Sequence, residues 1–384
     1  MVLIIFRVIS LLLIFSMFVG LSPSADAVGV EQLSAESCVL MYEDGQCVFE
    51  KNADDKHLIA STTKIMTAIV CLENSELLSR VRIKKEHCLV EGSSMYLKAG
   101  EIYTVKELLL GLLLASGNDA ALALADHVAG SVKEFAALMN ETAKRIGMNN
   151  SSFSNPHGLD ARGHYSTAKD MAHLMLYCMN NQNFCELISC YCATIKEETY
   201  INHNKLLKLY PWCIGGKTGF TAAAGRCLVS CAEKNGMRFV CVSFAAPDDR
   251  NDHIKLYEYA FENYCLKNLS KDIVFEVPLI SGNKEKVKVV PQEELVLFVN
   301  KADEIKIKAE IPIFIFAPVK IGETAGEFCV IINSNVVSEH PLVYYEDALI
   351  AYPCLGQAEM EVLLSARENT ETYFCSRADV EKSC

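Results

Sequence analysis

Basic residues are scarce in this sequence relative to acidic ones. There are 36 Lys and Arg against 48 Asp and Glu, which gives a formal net charge of −12. A protein that binds the nucleic-acid backbone needs a basic face that displaces counterions, so this balance gives no footprint for a nucleic-acid partner. Repeats and low-complexity segments are also missing. With 384 residues, 51% hydrophobic and 22% charged, the chain is typical of a globular protein with more than one domain.

A disulfide framework is lacking as well, although cysteines are plentiful. There are 17 of them, an odd number, and their spacing is irregular. A chain of this length can build a core without cross-links. Cys227, Cys231 and Cys241 stand where core hydrophobes are expected in strand-like segments. We therefore predict that most of the cysteines are buried free thiols.

The pattern of a metal site is incomplete. Residues 185–192 contain a cluster of three cysteines, but no matching Cys pair or close His run completes a ligand set. We expect no metal and no cofactor.

The N-terminus has the composition of a signal peptide. Arg7 precedes a short apolar run, Val8 to Gly20, and Ala25-Asp26-Ala27 follows it. This order predicts a signal peptide over residues 1–27 with cleavage after Ala27. The apolar residues before Arg7 leave a retained membrane anchor as the alternative. Cleavage would make the mature protein extracytoplasmic, either in the cell envelope or secreted.

Three short motifs that carry chemistry follow one another in a fixed order: Ser61-Thr62-Thr63-Lys64, Ser116-Gly117-Asn118 and Lys217-Thr218-Gly219. A hydroxyl attacks an amide carbonyl at neutral pH only when a base takes its proton and donors stabilise the oxyanion. Ser61 and Lys64 are one helical turn apart and therefore share a face. The first motif alone is a weak signal, but the ordered set indicates an active-site-serine acyl transferase.

Local signals place these motifs on an α/β framework. Ser61 precedes apolar residues at helical spacing, so we predict that it lies at or near a helix N-terminus, where the macrodipole favours negative charge. Thr104 and Glu107 form a capping box, and Asn118 is predicted to cap the helix that follows the second motif. Further helices are predicted over 133–146, 167–179 and 250–265, and strands over 37–42, 47–51, 226–232 and 237–245. Asp44-Gly45 and Asn235-Gly236 predict the hairpin turns between the first two and the last two of these strands.

The predicted elements divide the chain into domains. Strands from both ends with helices between them predict an α/β catalytic domain over residues 34–265. Short alternating segments at 273–280, 285–290, 295–299 and 305–309 predict a small all-β domain over residues 272–352. Residues 356–384 form an acidic tail without a clear apolar stripe, and its role is left open.

These motifs resemble the low-molecular-mass penicillin-binding proteins, the serine D-Ala-D-Ala carboxypeptidases of the DacA and DacF type. The likeness includes Gly92-Ser93-Ser94-Met95, Asn155-Pro156-His157-Gly158-Leu159 and His164-Tyr165-Ser166-Thr167-Ala168, and it covers about residues 34–352. It implies the α/β serine β-lactamase and penicillin-binding-protein transpeptidase-like domain, followed by a small all-β domain. It also implies a hydrolase that removes the terminal D-Ala from peptidoglycan stem pentapeptides and that β-lactams inhibit covalently.

The resemblance assigns a role to each motif residue. Ser61 would be the nucleophile. Lys64 would be the base, with its pKa lowered by burial and neighbouring cations. Ser116 would relay a proton to the departing D-alanine. Substrate binding would fall to Asn118, Lys217, Thr218 and Gly219. The oxyanion hole would consist of the backbone N–H groups of Ser61 and Phe220. His157 and His164 are expected to have structural roles, because a lysine base leaves no catalytic position for them.

Two other functions remain open at this point. A class A β-lactamase needs a glutamate that activates the deacylating water. The one matching pattern here, Glu198 to Asn202, stands too close to Lys217 for a separate loop. A non-catalytic wall-binding or β-lactam-sensing module would keep the pocket without turnover.

The acidic tail is a departure from the resembled family, which usually ends in a basic amphipathic helix on the membrane. Peripheral membrane association of this chain therefore stays open.

Overall fold

A computed structural model describes residues 32–351 and 370–375 of the chain. The predicted signal peptide and most of the predicted tail lie outside these residues. The chain divides into two compact units. Among the described residues, the N-terminal unit comprises residues 32–209, Gly215–Ser230 and Val240–Lys255, and the C-terminal unit comprises Tyr210–Ile214, Cys231–Phe239 and residues 256–351 and 370–375.

The helices of the described chain are α1 Lys64–Asn74, α2 Val105–Leu114, α3 Asn118–Ala129, α4 Val132–Arg145, α5 Ala168–Met179, α6 Gln182–Ile188, α7 Leu206–Leu209 and α8 Asp249–Asn263. The capping box predicted at the start of α2 is confirmed: the Thr104 hydroxyl accepts from the backbone N–H of Glu107, whose carboxylate accepts from the backbone N–H of Thr104. Two 3-10 turns, Ala60–Thr63 and Lys85–Leu89, precede α1 and α2 respectively.

The strands up to residue 244 are β1 Ser37–Tyr42, β2 Cys47–Lys51, β3 Arg80–Arg82, β4 Ile102–Thr104, β5 Cys192–Ile195, β6 Glu198–Ile201, β7 Cys213–Thr221, β8 Gly225–Lys234 and β9 Met237–Phe244. Five of them form a sheet in the order β2-β1-β9-β8-β7, so that strands from both ends of the domain meet in it, as predicted. The hairpin predicted at Asn235-Gly236 joins β8 and β9. Strand β7, which carries the third motif, is an edge strand.

Helix α1 lies inside the core of the N-terminal unit. Its residues from Lys64 to Cys71 are all buried, and the neighbouring α2 and α3 contribute further buried apolar faces. A helix that is apolar on all sides must be enclosed by other elements. The fold thereby places Lys64 in a low-dielectric environment.

The C-terminal unit is built of β-strands: β10 Tyr264–Asn268, β11 Phe275–Ile280, β12 Lys286–Pro291, β13 Val296–Asn300, β14 Ile305–Pro312, β15 Ile315–Phe316, β16 Thr324–Ile332, β17 Asn335–Tyr344 and β18 Thr370–Cys375. Seven of them form a sheet in the order β15-β11-β12-β17-β16-β14-β18. Alternate residues of these strands are buried in one core, which includes Val277, Val289 and Phe328.

One sequence prediction is corrected in this part of the chain, and the tail, whose role was left open, contains a strand. The helix predicted over 250–265 ends at Asn263, and β10 follows because Tyr264 pairs across to β13 and stacks on Phe298, with ring centroids 5.0 Å apart. The predicted acidic tail includes β18, which pairs antiparallel with β14 from Ile307 opposite Cys375 to Pro312 opposite Thr370. Pairing with a distant strand is not visible in local composition.

The cysteines within residues 32–351 are not joined in disulfides. Cys227, Cys231 and Cys241 have no exposed surface, so the prediction is confirmed for these strand positions. Other cysteines are more accessible, since Cys190 is half-buried and Cys192 is exposed.

As for membrane spans, the helices within the described ranges include none with the length and apolar character needed to cross a bilayer.

Candidate active site

Ser61 and Lys64 are adjacent in space. Ser61 lies in the 3-10 turn Ala60–Thr63, which continues directly into α1, so the predicted position near a helix N-terminus is confirmed. The Nζ atom of Lys64 is 2.9 Å from the Oγ atom of Ser61. Ala60 has a φ of +45°, a left-handed conformation that non-glycine residues rarely adopt. This strained residue turns the chain sharply just before Ser61.

The amine of Lys64 has two further partners. It donates to the side-chain oxygen of Asn118 at 2.7 Å and to the backbone oxygen of His157 at 2.6 Å. Burial, and next the positive charge of Lys217, hold the pKa of Lys64 well below its usual value, whereas Asp119 raises it. A neutral amine has two N–H groups and one lone pair. Because two carbonyl oxygens accept the N–H groups, the lone pair is left for the hydroxyl of Ser61.

Asn118 does not cap α3, and this prediction is wrong. The N-cap residue is Gly117, and no side chain caps the helix. The Nδ2 atom of Asn118 instead donates to the backbone oxygen of Glu91 at 2.7 Å. Because that oxygen only accepts, the contact orients the amide with its oxygen towards Lys64. The buried amide therefore has tertiary partners that a local cap prediction could not include.

Ser116 lies in the short connection between α2 and α3. It is 3% exposed, with a φ of +61°. Its Oγ atom is buried, and no hydrogen-bond partner for it exists among the described residues. A buried hydroxyl without a partner costs about 1–3 kcal/mol, so such a group needs a structural or functional reason.

The third motif lies on edge strand β7. Lys217 is 1% exposed, its Nζ atom donates to the backbone oxygen of Thr218 at 2.9 Å, and burial lowers its pKa to about 7. A Cβ atom at Gly219 would lie 3.0 Å from the backbone nitrogen of Ser61. Glycine therefore lets β7 approach the turn that carries the nucleophile. Phe220 follows, with 69% of its surface exposed.

The loop at residues 155–159 packs beneath the nucleophile. Gly158 has a φ of +90°, and a Cβ atom there would lie 2.0 Å from the backbone oxygen of Ala60. The side-chain oxygen of Asn155 accepts from the backbone N–H groups of His157 and Gly158, which holds the turn. This loop positions the His157 carbonyl that contacts Lys64.

The two histidines near the site are neutral groups inside the fold. Burial lowers the pKa of His157 and of His164 to about 4. His164 bridges two segments, since its Nε2 atom is 2.8 Å from the Thr63 hydroxyl and its Nδ1 atom accepts from the backbone N–H of Ser154. The Nδ1 atom of His157 accepts from the backbone N–H of Leu159 within its own loop. These contacts support the structural roles expected for both histidines.

Sequence reasoning missed one functional neighbour, Asp119. Its carboxylate accepts hydrogen bonds from the Ser94 hydroxyl at 2.6 Å and from the backbone N–H groups of Met95 and Leu97 at 2.9 and 3.1 Å. The signal that could have revealed it is an acidic residue directly after the second motif. The carbonyls of Glu91 and His157 had no such signal, because backbone groups carry no sequence identity.

The β-lactamase pattern is not assembled. Glu198 is exposed on β6, and the Asn202 side chain bonds to the backbone of Cys190 and Asn204, so that it stabilises a turn. As for metals, no cluster of three or more His, Cys, Asp or Glu side chains suited to a metal ion occurs in the portion of the chain that is described.

Comparison with known proteins gives a consistent result. Residues 24–248 match the family described as D-alanyl-D-alanine carboxypeptidase, peptidase S11, and residues 267–348 match the penicillin-binding protein 5 C-terminal domain. The chain is 34% identical over 366 residues to the D-alanyl-D-alanine carboxypeptidase DacF of Bacillus subtilis, with 89% of this chain and 94% of the relative covered. It is 32% identical to DacC of Escherichia coli over 82% of this chain and 84% of that relative.

Comparison with solved structures indicates the same family. Penicillin-binding protein 5 of Haemophilus influenzae superposes with a TM-score of 0.65 at 27% identity, covering 83% of this chain and 98% of that one. Penicillin-binding protein 6B of Escherichia coli has a TM-score of 0.67 at 26% identity, covering 81% and 96%. The fold and site thus define a penicillin-binding protein with a serine-hydrolase domain and an all-β C-terminal domain. The chain belongs to the peptidase S11 family of D-alanyl-D-alanine carboxypeptidases.

Proposed function

We propose that this carboxypeptidase removes the terminal D-alanine from peptidoglycan stem pentapeptides through an acyl-enzyme on Ser61. The observation that carries the proposal is the position of the Lys64 amine, 2.9 Å from the Ser61 hydroxyl and bonded to two carbonyl oxygens. A neutral amine in this position can accept the hydroxyl proton as the serine oxygen attacks the D-Ala-D-Ala carbonyl.

The oxyanion that forms needs backbone donors close to the nucleophile. We assign this role to the N–H groups of Ser61 and Phe220, one on the 3-10 turn and one on β7. The close approach that Gly219 permits supports the assignment, because it brings β7 against the backbone of the Ser61 turn. A side chain at this position would separate the two donors.

The departing D-alanine needs a proton on its amine. The buried Ser116 hydroxyl, which has no partner among the described residues, is suited to relay that proton from Lys64. Water then attacks the acyl-enzyme with Lys64 acting again as base. The serine is regenerated, and the shortened peptide leaves.

Selection for a free C-terminus is assigned to β7. The Lys217 ammonium would pair with the terminal carboxylate, and the Thr218 hydroxyl would donate a second hydrogen bond. An edge strand also offers backbone groups to an extended peptide. Asn118 would hold the substrate amide in addition to orienting Lys64.

The compartment and the domain limits follow from the sequence. A signal peptide over residues 1–27 would export the chain to the cell envelope or the medium, where stem peptides are found and where trimming limits their cross-linking. The catalytic domain is proposed to span residues 34–265 and the β-rich domain residues 272–352.

β-Lactams would acylate Ser61, because they present a strained amide to the same nucleophile. Association with the membrane surface is left open by the acidic tail.

The experiment is intact-protein mass spectrometry after penicillin treatment, combined with measurement of D-alanine released from a D-Ala-D-Ala peptide. We expect a long-lived adduct on Ser61 and steady release of D-alanine. Rapid loss of the adduct with penicillin hydrolysis would favour a β-lactamase. A stable adduct without D-alanine release would favour a sensing module.

A further inference from the structure

Tyr96 combines high exposure with a strained backbone. It exposes 85% of its surface, and its φ is +60°. Side chains with a Cβ atom are disfavoured in this left-handed region, and bulky ones especially so. A single exposed aromatic residue is ordinary in itself. One that is held in a strained conformation, on a loop that is hydrogen-bonded to Asn118, points to a function for the ring.

The chain on both sides of Tyr96 is firmly anchored. Met95 and Leu97 are 3% and 4% exposed, and their backbone N–H groups donate to the carboxylate of Asp119. The hydroxyl of Tyr200 donates to the backbone oxygen of Met95 at 3.0 Å. The ring is therefore presented by a loop whose backbone is fixed, so that little backbone entropy is left to lose on binding.

The same loop is bonded to the residue that orients Lys64. The backbone oxygen of Ser93 accepts from the backbone N–H of Asn118 at 2.8 Å, and the Asn118 side chain donates to Glu91. A Cβ atom at Gly92 would lie 2.8 Å from the Asn118 Nδ2 atom. Residues 91–97 thus form a wall beside Asn118, and Tyr96 stands on this wall.

We propose that Tyr96 contacts the substrate and selects for an aliphatic side chain on the residue that precedes D-Ala-D-Ala. This inference rests on the proposed function. Because Lys217 on β7 is assigned to the terminal carboxylate, the wall beside Asn118 is left for the upstream part of the peptide. A long aliphatic side chain offers methylene groups that pack on an aromatic face while its polar end stays in water.

The test compares D-alanine release from two peptides, diacetyl-L-Lys-D-Ala-D-Ala and acetyl-Gly-D-Ala-D-Ala. For Tyr96→Ala we expect about a tenfold loss of kcat/KM with the lysyl peptide, mainly in KM, and little change with the glycyl peptide. Tyr96→Phe should retain activity on both. Tyr96→Gly, which relieves the backbone strain, should behave like Tyr96→Ala. Tyr345→Ala is the matched control, since Tyr345 is a 60% exposed tyrosine of the C-terminal unit.

Acylation by penicillin reports whether each variant is folded and its serine reactive. Equal loss with both peptides, or no loss with either, while acylation proceeds at the native rate, would overturn the role of Tyr96 and leave the proposed function standing. Failure of the unaltered protein to release D-alanine from either peptide would overturn the proposed function itself, and the Tyr96 assignment with it.

Discussion

The side-chain oxygen of Asn118 accepts a hydrogen bond from the Nζ atom of Lys64 at 2.7 Å, and so joins the second motif to the first. The contact matters because it gives an acceptor to one of the two N–H groups of the neutral amine. With the His157 carbonyl as the other acceptor, both N–H groups of a neutral amine have partners, and its lone pair can face the Ser61 hydroxyl, 2.9 Å away. The geometry and the lowered pKa of Lys64 therefore agree.

Replacing Lys64 by alanine tests the base directly. We expect acylation by a fluorescent penicillin to slow by about 10³-fold, because the hydroxyl of Ser61 loses its proton acceptor. Stopped-flow or gel-based labelling measures the rate, and thermal unfolding confirms that the variant is folded. Lys84→Ala is the control, since Lys84 is a surface lysine paired with Asp126. Labelling of the Lys64 variant at the native rate would remove this residue from the role of base.

The buried charge of Lys217 predicts a pH dependence of activity. Its pKa is lowered to about 7, so the charged form that would bind a carboxylate is lost from the free enzyme as the pH rises through about 7. We expect kcat/KM to fall as the pH rises through about 7. Lys217→Arg should move this limb upward by at least about one pH unit, because a guanidinium stays charged. An unchanged alkaline limb in this variant would contradict the assignment.

The stability of the protein should also depend on the titration of Lys217, but it should rise with pH where the activity falls. In the unfolded chain the pKa of Lys217 is near 10.5, so between about pH 7 and 10.5 the unfolded state binds more protons than the folded state. The free energy of unfolding should therefore rise with pH across that window. Denaturant titrations at several pH values measure the slope, which should become smaller in Lys217→Arg. Lys64 contributes with the same sign, so the slope should not vanish.

Gly158 and Gly163 form a matched pair for the loop beneath the nucleophile. Both have left-handed φ values, but a Cβ atom at Gly158 would lie 2.0 Å from the Ala60 oxygen, whereas one at Gly163 would have its nearest neighbour at 3.8 Å. Gly158→Ala should cost about 3 kcal/mol or more, from overpacking added to backbone strain, and Gly163→Ala about 1 kcal/mol. Chemical denaturation measures both. Equal losses would show that crowding against the Ala60 turn is unimportant.

Substitutions at Asp119 and Ser94 test the hydrogen bonds that hold the wall formed by residues 91–97. Asp119→Ala removes the acceptor of several hydrogen bonds, two of them from buried backbone N–H groups, and should cost about 3 kcal/mol. Ser94→Ala removes one donor and should cost about 1 kcal/mol. The Asp119→Ala variant, which should lose more stability, should also have a higher KM for the peptide, since residues 91–97 are no longer held in place. Because Asp119 raises the pKa of Lys64, the acid limb of the pH profile should also move to lower pH.

The local elements of the fold were largely predictable. The hairpins at Asp44-Gly45 and Asn235-Gly236 and the capping box at Thr104 each depend on residues close together in sequence, and all are present. Strand β18 and the end of α8 at Asn263 were not predictable in this way. Both depend on pairing with strands elsewhere in the C-terminal unit.

The amino-acid sequence by itself determined which groups are available for chemistry: the serine and lysine one turn apart, the following motifs and their order. The tertiary structure alone decided the state of those groups. It buried Lys64 and Lys217, which lowers the pKa of each because a charge is poorly solvated inside a protein. It also turned Asn118 from an expected helix cap into a partner of Lys64, because the groups that satisfy this amide come from segments distant along the chain.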